Sequence, residues 1–89
     1  NDVNNIRAKD IGLAISLISS FDKNVKFTYS LEDEKKINFI NNNIEVSNND
    51  GSHFEQNKFN INKKIKFIGK NGNYQLLSIK KTEDRVDVK

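Results

Sequence analysis

The sequence has no cysteine, proline, methionine or tryptophan, and only one histidine. Without cysteine, neither a disulfide framework nor a thiolate metal site can form. His53 follows a turn signal, so we interpret it as a solvated loop side chain, with a pH-sensing role as the alternative. No Gly-x-Ser-x-Gly nucleophile elbow is present. We therefore expect a protein that is not an enzyme and that uses no metal or cofactor.

The absence of methionine at position 1 predicts a processed chain or a fragment whose signal or membrane anchor lies elsewhere. Eighty-nine residues make a single domain, 1–89, of which we expect residues 1–5 to be loose. The uncharged apolar run from Ile11 to Phe21 is too short to span a bilayer. We interpret this run as part of a core helix.

Helical periodicity is confined to the segment from Asp10 to Asn24. The apolar positions that share one side are Ile11, Ala14, Ile15, Ile18 and Phe21, with Leu13 and Leu17 widening it. This arc exceeds half of the circumference, which is more than a surface helix normally buries. Asp10 is a suitable N-cap and Asn24 a suitable left-handed C-cap, although the helix has an alternative start near Asn5.

The other side of this helix is small and uncharged. Its members, called the small stripe below, are Gly12, Ser16, Ser19 and Ser20. A solvated helix face normally carries lysine and glutamate. Two interpretations stay open: a short, partly exposed serine face, or a surface on which a second element packs or a partner docks.

The rest of the chain has the alternation of β-strands. Val25 to Leu31 predicts one strand, the charged residues 32–35 a turn, and Lys36 to Ile40 a second strand in a hairpin with the first. A short strand at 44–46 and a turn at 49–51 follow, and a three-residue loop would set Val46 opposite Phe54.

Asn71-Gly72 is the strongest hairpin signal, because this pair favours a type I′ turn. A two-residue loop there would place Gly69 opposite Tyr74 and Phe67 opposite Leu76. Residues 82–84 predict another turn, and Val86 and Val88 a final edge strand. The fold expected is α+β, with one N-terminal amphipathic helix packed on an antiparallel or mixed sheet of five to six strands.

The net charge of +3 is unevenly distributed. Between Gln56 and Lys81 there are seven lysines and no acid, a pattern suited to an anionic or acidic partner. We interpret these lysines as the wet face of strands whose phenylalanines enter the core. The candidate partner-binding residues of this region are Lys58, Lys63, Lys64, Lys66 and Lys70.

Residues 10–40 resemble the opening of the small N-terminal domains of bacterial secretins and of the signalling domain of TonB-dependent transducers. In that family a helix of the type Leu-x-x-Ala-Leu-x-x-Leu-x-x-x-x-Gly leads into a strand, a polar turn and another strand. The matching helix positions are Ile11, Ala14, Ile15, Ile18 and Phe21, with Asn24 in place of the glycine. The resemblance implies a periplasmic domain of an envelope assembly or sensor.

Together these observations predict a non-enzymatic protein–protein interaction domain of the bacterial cell envelope, acting in secretion, pilus assembly or signalling. Its partner would be another envelope protein, a membrane-anchored protein or a second copy. The surfaces expected to carry the contact are the five lysines and the small stripe, if that stripe stays uncovered. Two alternatives are a nucleic-acid-binding module using the lysines of residues 58–81 and a small-ligand sensor with an internal apolar pocket.

Overall fold

A computed structural model describes residues 2–89, which form one helix followed by six strands. The elements in chain order are α1 (Asp2–Ser19), β1 (Val25–Ile40), β2 (Asn43–Ser47), β3 (Glu55–Lys58), β4 (Lys66–Gly69), β5 (Gly72–Thr82) and β6 (Arg85–Val88).

The six strands form a single mixed sheet in the order β3-β2-β1-β5-β6-β4. All neighbouring pairs are antiparallel except β4 and β6, which run parallel. The helix packs on one face of this sheet, where the buried apolar side chains gather. The α+β fold predicted from the sequence is therefore confirmed. No helix among residues 2–89 is long and apolar enough to cross a membrane.

The helix begins much earlier than its apolar pattern predicts. Residues 2–5 belong to it, so the expectation of a loose start is wrong for them, while Asn1 lies outside the described residues. Asp10 is exposed in mid-helix and is not an N-cap. The helix ends at Ser19, and the Asn24 side chain instead accepts a hydrogen bond from the Glu83 amide at 2.9 Å. Asn24 is therefore not the helix C-cap.

The charged segment after Leu31 does not turn the chain. β1 is one strand of 16 residues, and both of its halves pair with β5. The register shifts between Ser30, opposite Leu76, and Lys35, opposite Tyr74. The predicted hairpin is wrong because the surplus residues form a bulge, where Glu32 adopts a φ of 68°.

The β1–β2 hairpin turns at two asparagines. Asn41 and Asn42 have φ angles of 51° and 61°, between the paired residues Ile40 and Asn43. Two consecutive positive φ angles are typical of a type I′ turn, and asparagine tolerates them better than most residues.

The turn predicted at 49–51 is present, with Gly51 at a φ of 88°. The loop is longer than expected, because Val46 pairs with Glu55 rather than with Phe54. Phe54 is half-exposed. The Asn48 amide donates to the Ser52 carbonyl at 2.9 Å and closes this loop.

The hairpin predicted at Asn71-Gly72 does not form. β4 pairs with β6, and neither Asn71 nor Gly72 has a positive φ. β5 has the long strand β1 as its partner on one side, and the turn at residues 82–84, as predicted, brings β6 to its other side. β6 is consequently an interior strand, with Val86 and Val88 buried, and not the edge strand expected.

Candidate interaction surfaces

The helix presents three different faces. The first is buried against the sheet and includes Ile11, Ile15 and Ile18, as the sequence predicts. Asn4 and Ala8, N-terminal to the predicted segment, extend this buried face. The Asn4 amide donates to the His53 carbonyl at 2.8 Å and ties the first turn to the β2–β3 loop.

The small stripe forms the second face, and most of it is covered by the chain itself. Gly12 and Ser19 are buried. A Cβ added at Gly12 would lie 2.8 Å from the Asn57 side-chain nitrogen, so β3 approaches the helix closely here. The Ser16 hydroxyl accepts a hydrogen bond from the Asn60 amide at 3.0 Å. The condition for partner docking, an uncovered stripe, is met only by Ser20.

The third face is an apolar stripe that is about half-exposed to solvent. Its members, called the apolar stripe below, are Val3, Ile6, Leu13 and Leu17. Leu13 is 68 % exposed and Leu17 is 55 % exposed. With Asp10, these positions recur at alternating intervals of three and four residues, the spacing of a coiled-coil seam. The sequence predicts a broad apolar arc on this helix, but it does not show that about half of that arc faces solvent.

An apolar groove of about 480 Å³ runs between this part of the helix and the first half of β1. Leu13 and Leu17 line the helix side, Val25 and Phe27 line the strand side, and Phe21 lies beyond the helix end. Phe21 and Phe27 are each 41 % exposed. Leu13 and Leu17 belong to both the groove and the apolar stripe, so the groove and the C-terminal half of that stripe form one exposed apolar surface, and Val3 and Ile6 lie beyond Asp10.

A polar network closes one end of this groove. The Arg7 guanidinium donates to the Tyr29 hydroxyl at 3.3 Å, and that hydroxyl donates to the Asp10 carboxylate at 2.9 Å. Arg7 also lies 3.5 Å from the Glu32 carboxylate. Burial raises the pKa of Tyr29, and the hydrogen bond to Tyr29 raises the pKa of Arg7. These bonds hold Asp10 in place beside the exposed leucines.

A second, more polar groove of about 680 Å³ lies at the C-terminal end of the helix. Ser20 lines it together with Asn60, Asn62 and Lys64. The Lys81 side chain, although on the core face, donates to the Glu83 carbonyl at 2.7 Å. Both grooves are open to solvent. Neither is the internal apolar pocket that a ligand sensor of the predicted type would need.

The five predicted lysines are all exposed, but they do not all lie on one strand. Lys58 lies on β3, at the opposite edge of the sheet from Lys66 on β4. Lys63 and Lys64 lie in the loop between these strands. Phe59 is buried and Phe67 packs against it with ring centroids 4.9 Å apart, so the prediction of inward phenylalanines and outward lysines is confirmed.

The residues with potential for catalysis are dispersed. His53 is exposed in the β2–β3 loop, as predicted. Glu32, Asp33 and Glu34 are exposed on the bulge of β1. Within residues 2–89 no group of three or more histidine, cysteine or acidic side chains is placed to hold a metal ion.

No protein-family model, curated protein or solved structure matches this chain. The resemblance of residues 10–40 to secretin N-terminal domains therefore stays a prediction.

Proposed function

We propose that this chain is a non-enzymatic protein–protein interaction domain of a bacterial envelope assembly, and that it binds an amphipathic helix of its partner. The observation that carries the proposal is the exposed apolar surface formed by the apolar stripe and the groove. Contiguous apolar surface rimmed by polar side chains is typical of interaction sites. The periplasmic location rests on the family resemblance of residues 10–40.

The spacing of the stripe favours a helical partner. Ile6, Leu13 and Leu17 occupy three of the five positions of a seam in which each side chain fits between those of a facing helix. Such helix-in-groove contacts use anchors at intervals of three and four residues. Phe21 and Phe27 extend the apolar floor beyond the last turn, where a partner helix would continue.

Asp10 favours a different protein over a second copy. It lies at the centre of the seam, between Ile6 and Leu13. In a parallel helix pair Asp10 would face Asp10 of the second copy, and an antiparallel pair centred on this residue would give the same contact. Like charges in such a position disfavour association. A partner with lysine or arginine at the central position would instead pair with the carboxylate.

Site-specific photo-crosslinking in the producing cells tests the proposal. A photoreactive residue at position 17 should give a discrete adduct in the envelope fraction, and Leu13→Gln should abolish it by interrupting the apolar seam. The same residue at position 73, which is exposed on β5, is the matched control. An adduct twice the size of the chain would indicate self-association, and equal adducts from both positions would contradict a specific surface.

A further inference from the structure

We propose that the face of the sheet opposite the helix binds an anionic lipid bilayer. This surface, called the basic face below, comprises Lys26, Lys66, Lys70, Lys80, Arg85 and Lys89. Apart from Lys26, which also borders the apolar groove, these residues lie on the other side of the sheet from that groove, and the proposal does not depend on the proposed function.

The strand register assembles the basic face from residues far apart in the chain. Lys26 of β1 lies directly opposite Lys80 of β5, and Lys66 of β4 lies beside Arg85 of β6. Residues paired in this way project from the same face of a sheet. Like charges directly opposite each other destabilise a sheet. The Lys26–Lys80 pair therefore does not stabilise the pairing of β1 with β5.

The two remaining cations extend the same surface. The Lys89 and Ser78 backbones exchange two hydrogen bonds of 3.0 Å, which continue the β5–β6 ladder by one pair. The Lys70 amide donates to the Val88 carbonyl at 2.9 Å, which sets Lys70 beside Lys89.

Asp84, in the turn before β6, lies beside these cations, since its carbonyl accepts a hydrogen bond from the Lys66 amide at 2.7 Å. A second acid, Asp87, lies among them. It pairs with Lys80 across the strands, but its carboxylate contacts Arg85 at 2.9 Å. All six basic residues are exposed, and among residues 2–89 Arg85 is the member of this face that forms an ion pair, with Asp87. Clusters of four to eight basic side chains are typical of surfaces that bind anionic headgroups.

Apolar side chains on the basic face favour lipid over nucleic acid. Leu76 lies opposite Ser30 on this face and is 60 % exposed, and Ile68 lies opposite Asp87 and is 38 % exposed. Leucine and isoleucine can enter the boundary between headgroups and acyl chains. Single-strand nucleic-acid binders instead stack bases on exposed aromatic rings, whereas Tyr74, two positions from Leu76 on β5, is partly buried and its hydroxyl donates to the Lys70 carbonyl.

Sedimentation of the full chain with lipid vesicles tests the proposal. The probe is phosphatidylcholine vesicles containing about 30 % phosphatidylserine, at about 0.1 M salt, compared with pure phosphatidylcholine vesicles. The chain should bind the anionic vesicles alone, and more weakly as salt increases. The triple variant Lys66→Gln, Lys80→Gln, Lys89→Gln should lose about a hundredfold in affinity, since each basic residue near the surface contributes roughly fivefold.

A second triple variant, Lys9→Gln, Lys35→Gln, Lys58→Gln, has the same net charge but alters no residue of the basic face; the Lys35 ammonium donates to Asn48 on the helix side of the sheet. Its affinity should stay within about threefold of the original, because charges beyond a Debye length of about 10 Å contribute little. The domain measures 18 to 21 Å in its two shorter dimensions, and Lys9 lies on the helix side. Circular dichroism of each variant verifies that the fold is retained.

Leu76→Ser separates lipid from polyanion binding. It should weaken vesicle binding by about tenfold by removing apolar contact, and it should leave any oligonucleotide binding unchanged. Three results would overturn the proposal: no binding to anionic vesicles, an equal loss in the two triple variants, or tighter binding to single-stranded or duplex oligonucleotides than to vesicles.

Discussion

Substituting Gly69 by alanine tests where β4 lies. A Cβ at this position would be 2.5 Å from Cγ and 2.6 Å from Cδ2 of Phe39, and 2.9 Å from Cε2 of Phe67. Carbon atoms in contact are normally about 3.5–4.0 Å apart. The Phe39 ring would therefore have to move by roughly 1 Å. It already packs edge-on against Phe67, with ring centroids 5.6 Å apart, so a movement of this size disturbs the core.

We expect Gly69→Ala to lower the free energy of unfolding by about 1–2 kcal/mol. Overpacking of this kind costs about 1–3 kcal/mol, and replacing a strand glycine by alanine recovers about 0.5–1 kcal/mol. For a domain of this length, the melting temperature should fall by about 4–8 °C for each kcal/mol. Urea denaturation gives the free energy directly, provided that the slope with denaturant is unchanged.

Gly72→Ala is the matched control. A Cβ at Gly72 would lie 3.6 Å from the nearest atom of Tyr74, an ordinary contact, so stability should be unchanged or slightly higher. In the hairpin that the sequence suggests, Gly69 would face Tyr74 instead of Phe39. Equal stability of the two alanine variants would therefore refute the placement of β4. In a Phe39→Leu background, Gly69→Ala should cost less, because the clashing ring is absent.

Three further predictions concern the helix, the first hairpin and the polar network. Ile15→Val should lower the free energy of unfolding by about 1 kcal/mol. Leu17→Ser, at a half-exposed position, should change it by less than about 0.5 kcal/mol. Equal losses of stability in thermal melts of the two variants would contradict the orientation of the helix. Asn42→Ala should cost about 1–2 kcal/mol because of its φ of 61°, and Asn42→Gly should not. Burial raises the pKa of Tyr29, so the folded state keeps that proton to higher pH than the unfolded state, and stability should decrease as pH rises above about 10. Tyr29→Phe should cost about 1 kcal/mol at neutral pH and weaken this alkaline decrease in urea titrations.

The sequence predicted those elements whose conformation depends on residues close together in the chain. The spacing of Ile11, Ile15 and Ile18 specifies which helix side is buried, because it follows from helical geometry alone. The turn at Gly51 was predictable because few residues other than glycine adopt its φ of 88°.

Strand pairing was less predictable, because alternation identifies a strand but not its neighbour. Asn71-Gly72 has the composition of a type I′ turn, yet the competing pairing of β5 with β1 and β6 places Gly72 within a strand. The actual turn of this geometry lies at Asn41-Asn42, where asparagine replaces the usual glycine. The acidic segment after Leu31 is compatible with either a turn or a bulge, and its sequence does not distinguish them.

The candidate sites depend most strongly on tertiary contacts. The small stripe looked available for a partner, but β3 and Asn60 cover most of it and leave Ser20 exposed. Leu13 and Leu17 looked like part of the core, but both are more than half-exposed and line the open groove between the helix and β1. The cations of the basic face are separated in sequence by as many as 63 positions, from Lys26 to Lys89, and only the register of four strands makes them neighbours.

By itself, the sequence determined that one helix with a broad apolar arc would cover a sheet of amphipathic strands, and that thiol chemistry was excluded. Periodicity and composition are sufficient for this, because they decide which side chains must leave water. The tertiary structure decided which part of that arc remains in water and which lysines meet. Those outcomes depend on competition among distant strands for the same hydrogen bonds and the same apolar surface, and no local pattern records the result of that competition.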